Sequence, residues 1–390
     1  DLYGERCGLL KWEHGEAVCI NEPGGQEWAY DFSNELVRQD KLTMIREVLQ
    51  DYHADGIELD FMFGKQYFKS SEIDKNTPLM TKFVAEIRDL ANEIGAAQDR
   101  EIGVMARVPL RREDNLAMGL DVESWLKNSS VQLIVGQDGN VLSETAVHVQ
   151  WMPKAANSSG AAAYYRPPRR VYDERVGLPS IEMYRALGQS LQRQGFAGMY
   201  HGYLLWPFGH REYQILRECA FPEAHQRRSK RYILQPREGV DGKPTTTPQR
   251  DLPVEMKEGE TVSLTILVAD DFEDAKADGE MRSPILTIRY SFYCSGDEIE
   301  TRFNGRVLSD DEADVTHERH LEMKTLLSAN MSIQAPLGMS AHWFRYKLGI
   351  DDIKRGENVL EIETKTQDKK AGFIRSVNGV EIQTRYKDFE

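Results

Sequence analysis

Strand-like and helix-like segments alternate along the chain from about residue 32 to residue 208. Apolar residues at helical spacing precede the apolar segment GIELDFMF, and a second amphipathic stretch, TPLMTKFVAEIRDLA, precedes EIGVMARVP. Further strand candidates are VQLIVGQ, GAAAYYRPP and GMYHGYLLW. One strand in every ~30 to 40 residues is typical of a parallel sheet built from βα units. The sequence therefore predicts an α/β fold in this region.

Helix-capping residues mark the starts of the predicted helices. Ser33 is predicted to cap the first helix, and Thr77 with Pro78 is predicted to form the cap and first turn of the second. Ser180 is predicted to cap a later helix, SIEMYRALGQSLQRQG.

The segment GIELDFMF carries two acids inside a run that is otherwise apolar. Side chains alternate along a strand, so Glu58, Asp60 and Met62 share one face and the intervening apolar residues share the other. Burying a carboxylate without a partner costs several kcal/mol, so a function or a compensating charge is expected. The alternative interpretation is a partly exposed strand that carries ordinary surface acids.

From about Arg231 onwards the pattern consists of strands alone. Alternating β-formers are separated by turn signals at Asn304-Gly305, Gly356 and Asn378-Gly379, which predicts a β-sandwich. The acidic stretch DDFEDAKADGE is predicted to be a solvated loop, with calcium binding as an alternative. We therefore divide the chain into a barrel-like domain, 1–228, and a β-sandwich module, 229–390.

Composition excludes several classes of function. The net charge of −14 argues against general nucleic-acid binding, which needs a basic face, and no apolar stretch approaches the ~20 residues of a membrane span. The four cysteines lack metal-ligand spacing, with Cys7 and Cys19 as a candidate disulfide. No G-x-G-x-x-G or P-loop motif follows a strand, which favours a barrel over a nucleotide-binding open sheet, and no cofactor or metal is predicted.

Four segments together, HADGIELDFMF, TPLMTKFVAEIRDLA, IGVMARVP and GLDVESWL, resemble a group of bacterial glycoside-hydrolase-like TIM-barrel proteins. The later segments SKRYIL, NGRVL and IKRGENVLEI resemble the galactose-binding-like jelly-roll module that follows such barrels. The resemblance implies a (β/α)8 barrel followed by a jelly-roll sandwich, and hydrolysis of glycosidic bonds in a carbohydrate substrate. We also expect a secreted or periplasmic location rather than a cytoplasmic one.

A complete barrel takes ~250 residues and eight strands, but only five strand candidates precede the sandwich. The resemblance places GIELDFMF near the fourth strand. We therefore expect this chain to lack the N-terminal strands of its barrel, as a fragment or as an unusual domain.

Glycosidic bond cleavage uses one carboxylic acid and one carboxylate, and barrel enzymes place such groups at the carboxyl ends of strands. Asp60 is the first candidate because it is nearest the end of its strand. Glu58 is its predicted partner, either as the drier acid or as a group that hydrogen-bonds to Asp60. Later loops offer further carboxylates at Asp138, Glu174 and Glu182.

Substrate contacts are predicted from arginine and aromatic side chains near strand ends. Arg107 could bind substrate or simply neutralise the two acids. The aromatic and imidazole candidates, which could equally be packing residues, are Tyr164, Tyr165, Tyr200, His201, Tyr203 and Trp206. The arginines of YYRPPRRVYDER, which are Arg166, Arg169, Arg170 and Arg175, would suit an anionic polysaccharide if they are not a solvated surface.

The sequence thus predicts a glycoside hydrolase that cleaves a polysaccharide or oligosaccharide by carboxylate acid/base catalysis. The alternative is a non-catalytic carbohydrate-binding protein on a barrel scaffold. A metal-dependent hydrolase is a third hypothesis, which the missing His-x-His and cysteine clusters disfavour.

Overall fold

The structure is a computed structural model that describes residues 18–20, 22, 29–64, 66–171, 177–202, 204, 206–236, 252–318, 341–370 and 372–387. The chain forms two compact units. The first unit is Asp1–Asp138, Val149–Pro167 and Gln194–Tyr200, and the second is Gly139–His148, Pro168–Arg193 and His201–Glu390. The units therefore interleave along the chain. The sequence-based division into 1–228 and 229–390 stays a prediction.

The described helices are α1 (Glu35–Asp51), α2 (Ile73–Ala97), α3 (Arg112–Ala117), α4 (Val122–Lys127), α5 (Trp151–Ser158), α6 (Ile181–Gln194), α7 (His210–Ala220) and α8 (Glu273–Ala277). The strands up to residue 234 are β1 (Gly56–Asp60), β2 (Gly103–Pro109), β3 (Leu133–Gln137), β4 (Val141–Leu142), β5 (Ala162–Arg166), β6 (Arg170–Val171), β7 (Gly198–Met199) and β8 (Lys230–Leu234). The later strands are β9 (Val254–Glu255), β10 (Thr261–Val268), β11 (Met281–Ser291), β12 (Glu298–Phe303), β13 (Arg306–Leu308), β14 (Ala313–Glu318), β15 (Ala341–Lys347), β16 (Gly356–Thr366) and β17 (Ser376–Tyr386).

The first unit contains a parallel sheet in the order β1-β2-β3-β5-β7. Each new strand is added at the same edge, in chain order. A doubly wound sheet would reverse this order at a switch point, and a barrel would not. The observed sheet therefore has the strand order of a singly wound βα fold.

One face of this sheet is apolar because it faces the helices. Val104, Ala106 and Val108 of β2 are fully buried, and the predicted apolar stripe of α2, including Phe83 and Ile87, is buried as well. The opposite face carries Glu58, Asp60 and Arg107. Hydrophobic burial thus fixes which way the charged side chains point.

A hydrogen bond between the two edge strands shows that the sheet is strongly curved. The Tyr200 hydroxyl, directly after β7, donates to Glu58 Oε2 of β1 at 2.8 Å. In a flat sheet, four strand spacings of ~4.8 Å would separate these strands by about 19 Å, more than the two side chains can span together. The polar face is therefore concave.

The second unit contains two antiparallel sheets. Their orders are β10-β16-β12-β13 and β14-β15-β11-β17-β8, with β9 pairing with β17. Apolar side chains from both sheets, such as Leu264, Ile288 and Leu360, belong to one buried cluster. The strand-only region therefore folds as the predicted pair of packed sheets.

A buried ion pair lies inside this second unit. Lys230 Nζ is 3.0 Å from Asp270 Oδ1, and both side chains are fully buried. Thr384 and Tyr386 donate hydroxyl hydrogen bonds to Asp270 Oδ2 at 2.9 and 2.7 Å. The predicted solvated loop is thus wrong at its start, because Asp270 is a core residue and Glu273–Ala277 is helical.

A second buried ion pair joins α6 to α7. Arg185 Nε donates to Glu218 Oε2 at 2.6 Å, and Arg185 Nη1 donates to the carbonyl of Ser229 at 3.1 Å. Two helices that the sequence assigned to the barrel-like domain are therefore tied to the residues that lead into β8.

Several local predictions are corrected. The side chain of Asn34, rather than Ser33, caps α1 by accepting from Leu36 N. Thr77 and Pro78 lie inside α2, because that helix begins at Ile73. Among the described residues of the segment GMYHGYLLW, the two-residue strand β7 is the part that is a strand.

The three predicted turn signals behave differently. Gly356 begins β16 with a positive φ. Asn304 and Gly305 form the tight β12-β13 turn, with positive φ at both residues. Asn378 and Gly379 instead lie within β17, at a register shift against β11, so this signal marks a β-bulge.

Cys7 lies outside the described residues, so its disulfide with Cys19 stays a prediction. Among the described residues, no helix combines the length and apolar composition needed to cross a membrane.

We expect Asp270→Ala to lower the free energy of unfolding by about 3 to 5 kcal/mol, because it leaves the Lys230 charge buried without its partner. Asp271→Ala is the matched control. Asp271 pairs with Arg355 at the surface, where an ion pair contributes about 0 to 1 kcal/mol. Urea denaturation measures both, and equal losses would contradict the assignment of Asp270 to the core.

Candidate active site

Strand β1 places Glu58 and Asp60 on the concave face at its carboxyl end. The side chain of Glu58 is 26% exposed and that of Asp60 is 33% exposed. The strand ends at Asp60, whose Oδ1 accepts a hydrogen bond from Met62 N at 2.8 Å. Met62 therefore lies beyond the strand, and the predicted extension of the acidic face to Met62 is wrong.

Arg107 lies between the two acids. It pairs in register with Asp60 on the neighbouring strand, and its Nη2 contacts Asp60 Oδ2. Its Nε lies 3.1 Å from Glu58 Oε1 without an aligned hydrogen bond, so that contact is one of charge. Arg107 therefore offsets the charge of both acids, and its predicted contact with substrate stays a prediction.

Tyr200 completes the cluster from the opposite edge of the sheet. Its hydroxyl donates to Glu58 Oε2, and the Arg107 Cζ atom is 5.8 Å from its ring centroid. Burial raises the pKa of Tyr200, and its hydrogen bond to Glu58 raises that pKa further. The phenol thus keeps its proton and acts as a donor.

Tyr164 lies on the same concave face, in register with Val135 and Gly198. Its ring packs over Gly198, where an added Cβ would lie 3.3 Å from the ring. Gly198 therefore lets the tyrosine ring approach β7 closely.

Tyr165 points the other way. It is 4% exposed and packs edge-to-face on Phe196, with ring centroids 6.3 Å apart. A ring buried on the apolar face cannot stack on a sugar, so the predicted substrate contact at Tyr165 is wrong.

Arg166 is the last residue of β5 and not a loop residue. It alternates with Tyr165 and so lies on the concave face, where it is 4% exposed. Arg170 lies in β6, and Arg175 is outside the described residues. A solvated arginine loop is therefore wrong for Arg166.

His201 and Trp206 belong to the second unit. His201 is half-buried beside Tyr184, with ring centroids 5.9 Å apart, and burial lowers its pKa to about 4. Trp206 is 82% exposed and contacts Phe208. Their predicted contacts with substrate stay predictions, and Tyr203 lies outside the described residues.

The additional carboxylates are dispersed. Asp138 directly follows β3 and Glu182 lies in the first turn of α6, while Glu174 is outside the described residues. The described part of the chain contains no group of three or more His, Cys, Asp or Glu side chains that could hold a metal ion.

Sequence reasoning missed Tyr67, which follows β1. Its hydroxyl is buried and has no hydrogen-bond partner within the described part of the chain. Burial raises the pKa of Tyr67, and the charge of Asp60 adds to that effect. Nothing in the segment FGKQYF distinguishes this tyrosine from a packing residue.

Comparison with known proteins gives distant structural similarities. No protein-family model matches the chain, and no curated protein matches it. An endo-β-1,4-mannanase from Thermotoga petrophila is 12% identical, with a TM-score of 0.39 over 90% of this chain and 72% of that one.

Two further solved structures are similar at the same level. A glycoside hydrolase family 18 N-acetylglucosaminidase from Paenibacillus barengoltzii is 12% identical, with a TM-score of 0.35 over 48% of this chain and 77% of that one. A chitinase from Bacillus thuringiensis is 8% identical, with a TM-score of 0.35 over 90% and 77%. At TM-scores below 0.5, none of these similarities assigns a fold or an activity to this chain.

Two histidines, one half-buried and one buried, predict how stability depends on pH. Burial lowers the pKa of His201 and of His225 to about 4, from 6.5 for an ordinary histidine. Between pH 6.5 and pH 4 the unfolded chain therefore binds protons that the folded chain does not, and the free energy of unfolding falls as the pH falls.

We expect His201→Gln and His225→Gln each to weaken this pH dependence in urea denaturation series between pH 7 and pH 5. His210→Gln, at an exposed histidine, should leave the pH dependence unchanged. A slope that is the same in all three variants would rule out the imidazoles of His201 and His225 as its cause.

Proposed function

We propose that this protein is a glycoside hydrolase that cleaves a polysaccharide or oligosaccharide with the carboxyl groups of Glu58 and Asp60. The observation that carries the proposal is the placement of both acids on the concave face, at the carboxyl end of a parallel strand, with Arg107 between them. Barrel enzymes place their catalytic groups at this end of the strands. The proposal includes a barrel of the (β/α)8 type followed by a jelly-roll module.

The reaction needs a proton for the leaving oxygen and a carboxylate for the anomeric carbon. Asp60 lies at the strand end and is the more exposed of the two acids, so it is accessible to a glycosidic oxygen. Glu58 lies one layer deeper on the same face. The two acids thus meet a substrate from the same side.

Substrate contacts on the concave face are proposed at Arg107, Arg166 and Tyr200. Arg107 has guanidinium nitrogens close to both acids, and Arg166 lies on the concave face at the end of β5. Guanidinium groups pair with carboxylates and sulfates, so an anionic polysaccharide is the favoured substrate class.

A non-catalytic carbohydrate-binding protein is the second candidate. One observation favours it: both oxygens of each acid already have a partner, in Arg107 and Tyr200 for Glu58 and in Arg107 and Met62 N for Asp60. A site whose acids serve only structure would show the same contacts.

Asp60→Asn separates the two candidates. We expect it to lower glycan cleavage at least ~100-fold, because the amide can neither give a proton nor carry the charge, while glycan binding and the melting temperature stay close to those of the unmodified protein. Reducing-sugar release from a panel of neutral and anionic polysaccharides measures cleavage, and affinity electrophoresis in the same polysaccharides measures binding.

Asp55→Asn is the matched control, because Asp55 immediately precedes β1 at its amino end and is fully exposed. It should leave cleavage unchanged. Cleavage that persists in Asp60→Asn would refute the role of Asp60, and binding without cleavage in the unmodified protein would support the non-catalytic candidate.

A further inference from the structure

We propose that the second unit binds an anionic polysaccharide at a site of its own, on two loops that present Phe292, Phe373 and Ile374. We call these three residues the aromatic tip. The inference goes beyond the proposed function, because the aromatic tip belongs to the second unit whereas the two acids lie on the parallel sheet of the first.

The aromatic tip exposes two apolar side chains that are adjacent along the chain. Phe373 is 58% exposed and Ile374 is 67% exposed. One face of the Phe373 ring stacks on Phe292, with ring centroids 5.0 Å apart and the rings 13° from parallel. The opposite face is available to a ligand. A flat apolar ring is a suitable surface for the apolar side of a pyranose.

A buried ion pair fixes the two loops to each other. Arg375 Nε and Nη2 each donate to Asp297 at 3.1 Å, and both side chains are buried. The Asp297 carboxylate also accepts from the backbone N–H groups of Cys294 and Asp368, at 2.8 Å each. The loop after β11 and the loop before β17 are therefore held together. A ring presented from fixed loops loses little conformational entropy when a ligand binds.

The same guanidinium closes a short loop that carries two lysines. Arg375 Nη1 donates to the carbonyl of Phe373 at 2.6 Å, and Nη2 donates to the carbonyl of Asp368 at 2.7 Å. Lys369 and Lys370 lie between these two carbonyls along the chain, and both are exposed. Two ammonium groups beside an apolar ring complement a sugar that carries carboxylate or sulfate groups.

The small size of the aromatic tip favours a glycan over a protein or a membrane. A stable protein–protein interface buries about 800 Å² on each side, from about 20 to 30 residues, which is far more than this tip offers. A single myristoyl chain alone gives only marginal membrane binding, and two exposed side chains would insert less apolar surface than that chain. Contact with one sugar ring needs no more than one aromatic face and the charges beside it.

Phe373→Ala in the full chain tests the site. Affinity electrophoresis through polygalacturonate and dextran sulfate measures binding, with neutral dextran as the uncharged comparison. We expect the dissociation constant on the anionic polymers to rise at least about 5-fold, because the sugar loses its aromatic contact. All variants are compared in the Asp60→Asn background, so that the polymer stays intact.

Val307→Ala is the matched control, because Val307 is an exposed apolar residue of β13. It should be retarded as strongly as the unmodified residue at that position. Equal retardation of Phe373→Ala and its parent, or no retardation of either in the anionic polymers, would overturn the inference.

Replacement of both lysines separates the role of charge from that of the ring. Lys369→Gln with Lys370→Gln should weaken binding to the anionic polymers about 3- to 10-fold at low salt, and less at high salt. Lys347→Gln with Lys354→Gln makes the same change of net charge at exposed lysines elsewhere in the second unit. An equal loss in both pairs would overturn the assignment of an anionic ligand to this loop.

Two other measurements identify a different partner. Cosedimentation with vesicles of phosphatidylglycerol and phosphatidylcholine that is lost in Phe373→Ala would overturn the glycan assignment in favour of a membrane. Dimerisation that is lost in Phe373→Ala, measured by analytical ultracentrifugation, would overturn it in favour of a second copy of this chain.

Failure of this inference can be distinguished from failure of the proposed function. If the chain with Asp60 intact cleaves no glycan but Phe373→Ala still weakens binding, the proposed function fails and the aromatic tip stands as a binding site. If that chain cleaves a glycan while Phe373→Ala leaves binding unchanged, the aromatic tip is overturned and the proposed function stands.

Discussion

The hydrogen bond from Tyr200 to Glu58 is the constraint on which the candidate site depends. It joins the last strand of the parallel sheet to the first, and it is possible only because the sheet curves. Curvature of this kind turns one face of the sheet inward and brings together side chains from strands that are not neighbours. Without it, Glu58 and Arg107 would form an ordinary cross-strand ion pair on a flat surface.

Charge compensation explains how a strand with an apolar face can carry two acids. Side chains alternate along β1, so Glu58 and Asp60 share the concave side while Ile57 and Leu59, both partly exposed, occupy the other face. Arg107, one strand away and in register with Asp60, is the compensating charge. The positive charge of the same arginine offsets the repulsion between the two acids.

Periodicity in the sequence predicted the elements that are buried on one face. Helix α2 and strands β2, β3 and β5 fall where their apolar spacing placed them, because burial of a single stripe or face is a local property of the sequence. Local cap and turn signals were less reliable. Thr77 and Pro78 lie inside α2, which begins earlier, at Ile73. Asn378 forms a bulge because β17 continues past it and pairs with β11 on both sides.

The site was predictable only in part. Asp60, Glu58 and Arg107 lie on adjacent strands, and alternation along each strand is enough to put them on one face. The same alternation puts Tyr164 and Tyr165 on opposite faces of β5. The sequence alone does not fix the register of β5 against β3, and a shift of one residue would exchange the ring that faces the site. The contact between Tyr200 and Glu58 depends on the curvature of the whole sheet, which no local pattern encodes.

The interleaving of the two compact units has a consequence for how the chain reaches its native state. The chain leaves the first unit at residue 139, re-enters it at 149, leaves again at 168 and returns for residues 194–200. The last strand of the parallel sheet is therefore synthesised after segments that belong to the other unit. Contacts between residues so distant along the chain are slow to form, so completion of the parallel sheet has to wait for a segment that follows stretches of the second unit.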